Sequence, residues 1–445
     1  MTSVGARSWL TRFSTRYRRE ILWRRSQSLV TVTSMATPTS ASTRPSARTA
    51  SHWIAAVTSV VLASSVSSCS APSADVTDAY AFLDDAMDRC GTGDELRLPP
   101  SYLSGVPAED SPDASYVYDV AVTTIAYTAR GTRDDLARAT TLAASLVSLQ
   151  QSDPDADGRL RNAYACTAPS GGERGSLTDA TSTGNMAWAG LALLQVHAAE
   201  DDPATLEAAV RLGTWIHTVT ADDRGAGGYT GGLGDDGDPV LWKSSEHNID
   251  VAAFFLMLAQ ATGDPVWGTR ASSALAVVSS LQDPSTGHFW VGTETDGETT
   301  NTDDYVPEDV QAWASLVLPG DDASRALDWA TENLLVGDDG QRGATVGDGA
   351  DPSGTVWLEG TAHLACALRV RDLERDAALA EELLGTVTSA QADGSDGTPR
   401  GIPAATQDGT AGGDSTIYDA LHTGTTAWFV LAAQGSNPFS DDDRT

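Results

Sequence analysis

The sequence predicts an all-α fold in which six helical hairpins close into a ring, with the long loops on one face. Twelve segments with apolar residues at helical spacing run along the chain, whereas strand-like alternation is scarce. Short turns alternate with long loops rich in Gly, Asp and aromatic residues. The first helix has no partner before it and the last has none after it, so pairing these two closes a ring.

The predicted helices are of two kinds. Small and apolar residues all round indicate helices that are buried on both sides, and these form an inner ring. Trp188, Trp313 and Trp428 open similar apolar stretches of this kind, and His363 and Phe254 fall in the same register. The helices that alternate with them carry charges on one face and form a solvated outer ring. In chain order the predicted helices span 76–90, 116–129, 133–149, 186–199, 203–219, 249–262, 265–281, 310–318, 323–335, 358–370, 375–390 and 425–433.

This pattern of repeats resembles the (α/α)6 toroid of the six-hairpin glycosidase superfamily. The resemblance covers residues 77–437 and rests on the architecture rather than on a single diagnostic motif. An open helical solenoid is the alternative, but the closure of the ring and the long loops favour the toroid. The resemblance implies a carbohydrate-active protein, and for a hydrolase it implies an inverting mechanism with a wide separation of two carboxyl groups.

The amino terminus predicts an export signal. Residues 1–68 hold nine Arg and one acidic residue, and 53–66 form an apolar run that ends in Ser67-Ser68-Cys69. This ending resembles a bacterial lipoprotein box, with Cys69 as the lipidated residue and 69–76 as a lipid-anchored tether; an ordinary secretory signal is the alternative. Residues before Met35 form a doubtful upstream extension. We therefore expect an extracytoplasmic, membrane-anchored lipoprotein that ends in an acidic tail at 438–445.

The charge balance restricts the partners. The chain has 28 Lys and Arg against 61 Asp and Glu, a formal net charge of −33. Outside the amino-terminal segment the excess of acid is larger still. A protein that neutralises phosphates needs a positive face, so a nucleic-acid partner is excluded and other polyanions are disfavoured.

Acidic residues are predicted to converge where the inner helices begin. We call Trp188, Phe254, Trp313, His363 and Trp428 the helix anchors. The positions one helical turn before them are 184, 250, 309, 359 and 424, and position 119 is the match in the first hairpin; four of these six residues are acids. Glycoside hydrolysis needs two carboxyl groups beside the scissile bond, and crowding raises at least one pKa. The predicted catalytic pool is Glu246, Asp250, Asp309 and Glu359, with Glu359 as general acid and Asp250 as base. Helix capping is the alternative role of these acids.

Trp, Tyr and polar residues in the long loops suit sugar recognition, because aromatic faces stack on pyranose rings. Their alternative role is loop packing. The predicted substrate-binding residues are Asp119, Tyr229, Trp242, His247, Asn248, Trp290, Tyr305, Glu308, Trp357 and His422.

The sequence therefore predicts a glycoside hydrolase that acts on a neutral glycan or oligosaccharide. A glycan-binding lipoprotein without activity is one alternative. A sugar epimerase with His247 and His422 as a facing pair, or a polysaccharide lyase, is another. The scarcity of Arg near the predicted site disfavours the lyase.

Two further features lie outside the predicted site. Cys90 and Cys166 fall in loops on the same face of adjacent hairpins, which predicts a disulfide in an exported protein, whereas Cys366 belongs to an apolar helix. Asp153, Asp155 and Asp157 match the start of a calcium loop but lack its closing Glu, so they form a weak calcium candidate. No other cofactor is expected.

Overall fold

The structure is a computed structural model, and it describes residues 73–171, 175–318, 320–338, 340–349, 354–391, 400–410 and 416–440. The predicted signal peptide, the start at Met35 and the lipidation site Cys69 lie outside the described residues. None of the described helices is both long and apolar enough to cross a bilayer.

Twelve long α-helices and one short one make up the described part of the chain. The short helix, α2, lies in the first long loop and was not predicted. The helices are α1 (Ala74–Asp88), α2 (Gly105–Asp110), α3 (Val117–Arg130), α4 (Arg133–Ser152), α5 (Thr183–Glu200), α6 (Pro203–Trp215), α7 (Ser245–Thr262), α8 (Pro265–Ser280), α9 (Glu308–Val317), α10 (Asp321–Asn333), α11 (Leu358–Arg371), α12 (Ala377–Ser389) and α13 (Thr423–Gln434).

Local capping signals fix the tight turns of the hairpins. Thr132 and Asp135 form a capping box at the start of α4, directly after Gly131 ends α3 in the left-handed conformation. Asp202 and Asp264 cap α6 and α8 more simply: each side chain accepts one backbone N–H two residues on, and each is followed by a proline at the first helical position. Each turn is short, so the two helices of a hairpin run antiparallel.

The helices form a closed ring, as predicted. The inner helices α3, α5, α7, α9, α11 and α13 each contact the next in this order, and α13 contacts α3. The outer helix α1 packs against α13, where the amide of Gln434 donates to the hydroxyl of Tyr80 at 2.8 Å. The first and last long helices therefore make the sixth hairpin, and the fold is an all-α (α/α)6 toroid.

Short strand pairs organise the long loops, and the sequence did not predict them. Most are two or three residues long, which is too short for an alternating pattern to stand out. They stiffen the loops that precede the inner helices. The strands are β1 (Ala114–Tyr116) with β2 (Ala163–Ala165), β4 (Gly232–Leu233) between β3 (Thr181–Ser182) and β5 (Pro239–Val240), β6 (Val306–Pro307) with β9 (Gly347–Asp348), β7 (Leu335–Asp338) with β8 (Gln341–Ala344), and β10 (Gly409–Thr410) with β11 (Thr416–Ile417), all antiparallel.

A cluster of aromatic rings, which we call the aromatic plug, fills the middle of the ring. Trp188, Trp313 and Trp428 come from three inner helices, and the rings of Trp313 and Trp428 stack with centroids 5.9 Å apart. Phe439, which follows the last helix, lies 4.9 Å from Trp188 and is only 5% exposed. The predicted boundary of the toroid at residue 437 is therefore too early, because Phe439 belongs to the core rather than to a tail.

Cys90 and Cys166 form a disulfide with their Cα atoms 5.9 Å apart, and Cys366 is buried. This bond joins the loop after α1 to the loop after α4, on the same side of the ring.

Arginine side chains engage the residues of the calcium candidate, and calcium binding itself stays a prediction. Both oxygens of Asp153 accept from Arg161, at 2.7 and 3.0 Å, and Asp155 accepts from the same guanidinium. Asp157 pairs with Arg159 and accepts from the indole of a core tryptophan. Arginines thus engage the oxygens that calcium would need, and the run is a salt-bridged turn.

Candidate active site

A cavity of about 260 Å³ opens where the inner helices begin. Its wall combines carboxyl groups, imidazoles and indole rings, and its floor is the aromatic plug. The lining residues are Tyr118, Gly184, Asn185, Trp188, Glu246, His247, Asp309, Trp313, Trp357, Glu359 and His363.

The second residue of each inner helix sets the composition of the wall. These residues are Tyr118, Gly184, Glu246, Asp309, Glu359 and Gly424 in ring order, and all but Gly424 line the cavity. The sixth residues, one turn deeper, include Trp188, Asp250, Trp313, His363 and Trp428. The inner helices therefore present the carboxylates in an upper layer and most of the aromatic rings in a lower one.

This layering corrects the predicted role of Asp250. The sequence register for α7 was one turn too deep, so Asp250 lies in the lower layer and Glu246 takes the upper position. Asp250 is fully buried, with the indole of Trp188 as a neighbouring hydrogen-bond donor to its carboxylate. Burial raises the pKa of Asp250 well above its usual value, and Glu246 and Asp309 raise it further. Asp250 does not line the cavity, so it cannot activate a water there.

Three carboxyl groups from three helices remain on the cavity wall. Burial raises the pKa values of Glu246 and Asp309, and the charges of Asp309 and Glu359 add to the shift at Glu246. Asp309 is held lower because the Val310 N–H donates to its Oδ1 at 2.7 Å. Burial raises the pKa of Glu359 to about 7. The cavity therefore holds proton donors and a carboxylate at neutral pH.

Glu359 has the most hydrogen-bonding and charged neighbours of the three. The hydroxyl of Tyr118 donates to its Oε1 at 2.9 Å, and the indole N–H of Trp428 donates to that hydroxyl at 2.6 Å. His422 Nδ1 lies 3.6 Å from Oε2, and His363 Nε2 lies 3.9 Å from Oε1. Each imidazole has a second carboxyl group behind it.

Those two outer carboxyl groups are Asp119 and Glu308, which the sequence assigned to substrate binding. Asp119 Oδ1 lies 3.3 Å from His422 Nε2, and Glu308 Oε2 lies 3.3 Å from His363 Nδ1. Neither carboxyl group lines the cavity. Asp119, Glu308 and His422 therefore stand behind Glu359 rather than on the surface that a substrate meets.

The two imidazoles on the cavity wall are neutral. Burial lowers the pKa of His247 to about 4 and that of His363 well below its usual value. His247 packs against the ring of Trp242, with centroids 5.8 Å apart, and fits there because Gly184 has no side chain. A Cβ on Gly184 would meet the His247 ring at 2.6 Å. The predicted pairing of His247 with His422 is replaced by His363 and His422 on either side of Glu359.

The predicted aromatic platforms divide into two groups. Trp357 lines the cavity, and Tyr305 lies close enough to Asp309 and Glu246 for their charges to raise its pKa, after burial. Trp242 supports His247. By contrast, Tyr229 is a core residue, 1% exposed and packed on the ring of Phe255.

Several remaining polar residues of the loops are structural. The amide of Asn248 donates to the backbone oxygens of Tyr229 and Ser244, at 2.9 and 2.8 Å. Trp290 does not line the cavity and packs edge-on to His288. The lysine next to Trp242, Lys243, is buried and donates to two backbone oxygens of the loop before β4, at 2.6 and 2.7 Å.

Sequence reasoning missed five residues of the wall. Trp188, Trp313 and His363 were recognised only as helix anchors, although their position one turn below the acids indicated that they face the same space. Tyr118 was not predicted, because its neighbour Asp119 was assigned to this position of the first inner helix. Asn185 had no distinguishing signal; in the structure its amide donates to Asn162 at 2.9 Å. Within the described residues no group of three or more His, Cys, Asp or Glu is arranged to hold a metal ion.

The fold is shared with several sugar-processing enzymes. A crystal structure of D-mannose isomerase matches 81% of this chain and 95% of its own, with a TM-score of 0.60 and 14% sequence identity. The cellobiose 2-epimerase of Bacillus thermoamylovorans matches 80% and 98%, with a TM-score of 0.59 and 14% identity. The GH76 alpha-mannanase of Bacteroides thetaiotaomicron matches 81% and 94%, with a TM-score of 0.56 and 13% identity.

No protein-family model matches the chain, and no curated protein is similar to it in sequence. At identities this low the structural matches establish the fold alone. They confirm the predicted all-α (α/α)6 toroid.

Proposed function

We propose that the protein is a glycoside hydrolase that acts on a neutral glycan, with Glu359 as the general acid and Asp309 as the base. The observation that carries this proposal is that three carboxyl groups with raised pKa values, from three different helices, open into one cavity with indole rings beside them. Paired carboxyl groups in different protonation states are what glycoside hydrolysis requires.

The assignment of the two roles follows from the neighbours of each carboxyl. Asp309 receives the Val310 N–H at the start of α9, so it is the most easily ionised of the three. As a carboxylate it accepts a proton from the attacking water. Glu359 is protonated below about pH 7 and gives its proton to the departing sugar oxygen. Glu246 lies near both and binds hydroxyl groups of the substrate.

The acidic wall selects a neutral substrate. Glu246, Asp309 and Glu359 line the cavity, and the cationic side chains of the described loops are turned elsewhere, Lys243 into the backbone and Arg224 onto Asp222. A uronate would be repelled by the carboxylates. Trp357 offers a ring face for stacking on a pyranose.

The experiment compares E359Q, D309N and E246Q with the exposed control E332Q on neutral glucans, mannans and xylans, reading released reducing ends. We expect E359Q and D309N to lose about 10²–10⁴-fold in kcat/KM, the usual share of a general acid or base, while E332Q retains wild-type activity. NMR of the first product formed should show inversion at the anomeric carbon. Glycan binding without any release of sugar would instead support the non-catalytic alternative.

A second candidate, a sugar epimerase or isomerase, is favoured by the two neutral imidazoles, His247 and His363, that line the same cavity. An imidazole that is unprotonated can remove a proton next to a carbonyl group. The diagnostic result is incorporation of deuterium from heavy water into a recovered monosaccharide or disaccharide, without any new reducing ends. Loss of that exchange in His247→Asn would assign the base.

We further propose that the protein is exported and anchored to the membrane by a lipid on Cys69. The disulfide between Cys90 and Cys166 supports an oxidising compartment, and the apolar run at 53–66 ends at a lipobox-like sequence. Metabolic labelling with a radioactive fatty acid tests this proposal. We expect the wild type to be labelled and to sediment with membranes, and Cys69→Ser to lose both properties; label that persists in Cys69→Ser would contradict it.

A further inference from the structure

Glu359 is backed by a buried carboxylate–imidazole pair that does not touch the cavity. Asp119, the third residue of α3, lies 3.3 Å from His422 Nε2, and His422 Nδ1 lies 3.6 Å from Glu359 Oε2. All three side chains are at least 93% buried. The three groups therefore form a line from the body of the toroid to the cavity wall.

The position of His422 is fixed from several sides. It is the N-cap of α13, and its Nδ1 accepts from the Thr425 N–H at 3.2 Å. Its ring stacks on that of Tyr102, with centroids 4.4 Å apart. Gly424 leaves room for Asp119, since a Cβ at that position would collide with the Asp119 carboxylate. A side chain held by a cap, a stacked ring and a neighbouring glycine is preorganised.

The cap also fixes the tautomer. Because Nδ1 accepts a backbone N–H in this arrangement, the ring proton of neutral His422 is on Nε2, where it donates to Asp119. When Nδ1 takes up a proton it stops accepting the Thr425 N–H and becomes a donor, with Glu359 Oε2 at 3.6 Å and the Thr425 hydroxyl at 3.0 Å as the oxygens within reach. The imidazolium then lies between the carboxylates of Asp119 and Glu359. His422 therefore binds a proton most readily when Glu359 has lost its own.

We propose that Asp119 and His422 are positioning residues that set the protonation of Glu359, with His422 protonated on Nδ1 as Glu359 becomes a carboxylate. Glu359 gives its proton to the substrate oxygen, and the resulting charge is balanced by the imidazolium that Asp119 stabilises. The proton on Nδ1 comes from water and returns to water when Glu359 is protonated again. This role rests on the proposed function, but the coupling of the three groups does not require turnover.

Other charged groups also surround Glu359 and act on its titration. Asp309 and Glu308 face it from α9, Glu246 from α7 and Tyr118 from α3. His363, on the helix of Glu359 itself, is neutral, so it contributes no charge. Burial lowers the pKa of His422. The negative charges of Asp119 and, to a smaller extent, Glu359 raise it by more, so the net shift of this pKa is upward. His422 is the cationic neighbour that lowers the pKa of Glu359.

The test measures the titration of Glu359 directly, by carboxyl 13C NMR of glutamate-labelled protein, with the signal assigned by its loss in E359Q. His422→Asn keeps an oxygen for the helix cap but removes the titratable ring. We expect it to raise the pKa of Glu359 by about one unit. Asp119→Asn should lower the pKa of His422, read from its ring protons, by a similar amount. The exposed variant E332Q should change neither.

The double variant separates coupling from simple proximity. If His422 transmits the effect of Asp119, the shift that D119N causes at Glu359 differs between the wild-type and H422N backgrounds. Equal shifts on adding D119N in the two backgrounds, or a pKa of Glu359 that the single variant H422N leaves unchanged, would overturn the proposal. If circular dichroism shows that H422N does not fold, the titration of the His422 ring protons in D119N is the deciding measurement. An unchanged pKa of His422 in D119N would then overturn the proposal. Coupled titration in a protein that releases no sugar would refute the proposed function and leave this inference intact.

Discussion

Replacing Phe439 with Ala should destabilise the whole toroid, although the residue lies beyond the last helix. Phe439 is 5% exposed, and its ring lies 4.9 Å from that of Trp188 and 5.8 Å from that of Trp313. Truncation of a buried Phe to Ala lowers the free energy of unfolding by about 3–5 kcal/mol. Most of this loss comes from the burial of the ring that is given up and from the cavity that it leaves behind. Because Trp188 and Trp313 cannot move without disturbing two inner helices, little of that cavity can close. We expect a loss near the upper end of this range.

The assay is urea unfolding followed by tryptophan fluorescence, with Leu256→Ala as the matched control. Leu256 lies on α7 and is 45% exposed, so its truncation should cost less than about 1 kcal/mol. A loss in Phe439→Ala no larger than that in Leu256→Ala would refute the reasoning, since it would mean that the segment after α13 does not belong to the core. Because Trp188 and Trp313 line the cavity, the folded fraction of the variant should also bind glycans less well.

Three other expected outcomes test separate parts of the structure. Replacing both Cys90 and Cys166 with Ala should lower the free energy of unfolding by about 4 kcal/mol, because the disulfide closes a loop with a sequence separation of 76. A reducing agent added to the wild type during urea unfolding should reproduce this loss. Equal stability of the oxidised and reduced wild type would contradict the prediction. Asp250→Asn should be more stable than the wild type at pH 8 and similar to it at pH 4. The reason is that folding raises the pKa of Asp250, so the wild type loses about 1.4 kcal/mol of stability for each pH unit above the pKa of the unfolded state. A variant that is less stable than the wild type at pH 8 would show that the charge of Asp250 is needed. The kcat/KM of the proposed hydrolase should fall as pH rises through about 7, where Glu359 loses its proton. It should also fall at low pH, where Asp309 gains a proton, and the midpoint of this acid limb should lie above the usual pKa range of Asp. Activity that is flat across this pH range would exclude both assignments.

The sequence predicted the helices well, because each one carries a local signal. Apolar spacing located all twelve long helices, and residues such as Gly131 and Asp264 mark the boundaries through capping. The closure of the ring followed from counting hairpins. The short strands could not be predicted in this way, because a ladder of two residues depends on which loop lies beside it rather than on its own composition.

The candidate site was predicted in part. Asp309 and Glu359 were placed on the cavity wall correctly, because their anchors Trp313 and His363 lie one turn below. The register failed at α7, where Phe254 was taken as the anchor although Asp250 occupies that layer. A buried acid in a layer of tryptophans runs against the pattern of apolar anchors, so only the packing of neighbouring helices could place it. The roles of Asp119 and His422 likewise depend on contacts between residues about 300 positions apart.

The hairpin built from the two ends of the described chain has a consequence for biogenesis. Tyr80 on α1 and Gln434 on α13 meet only after nearly the whole chain has been synthesised. Until then α1 lacks its partner, α3 lacks a neighbour on one side, and the tryptophans of the plug lack Phe439. A nascent chain therefore exposes apolar surface until α13 and Phe439 have been synthesised, which is a hazard for aggregation. Under the export proposed above, the same delay is an advantage, because a chain that cannot close its ring early stays open enough to be threaded across a membrane before it folds.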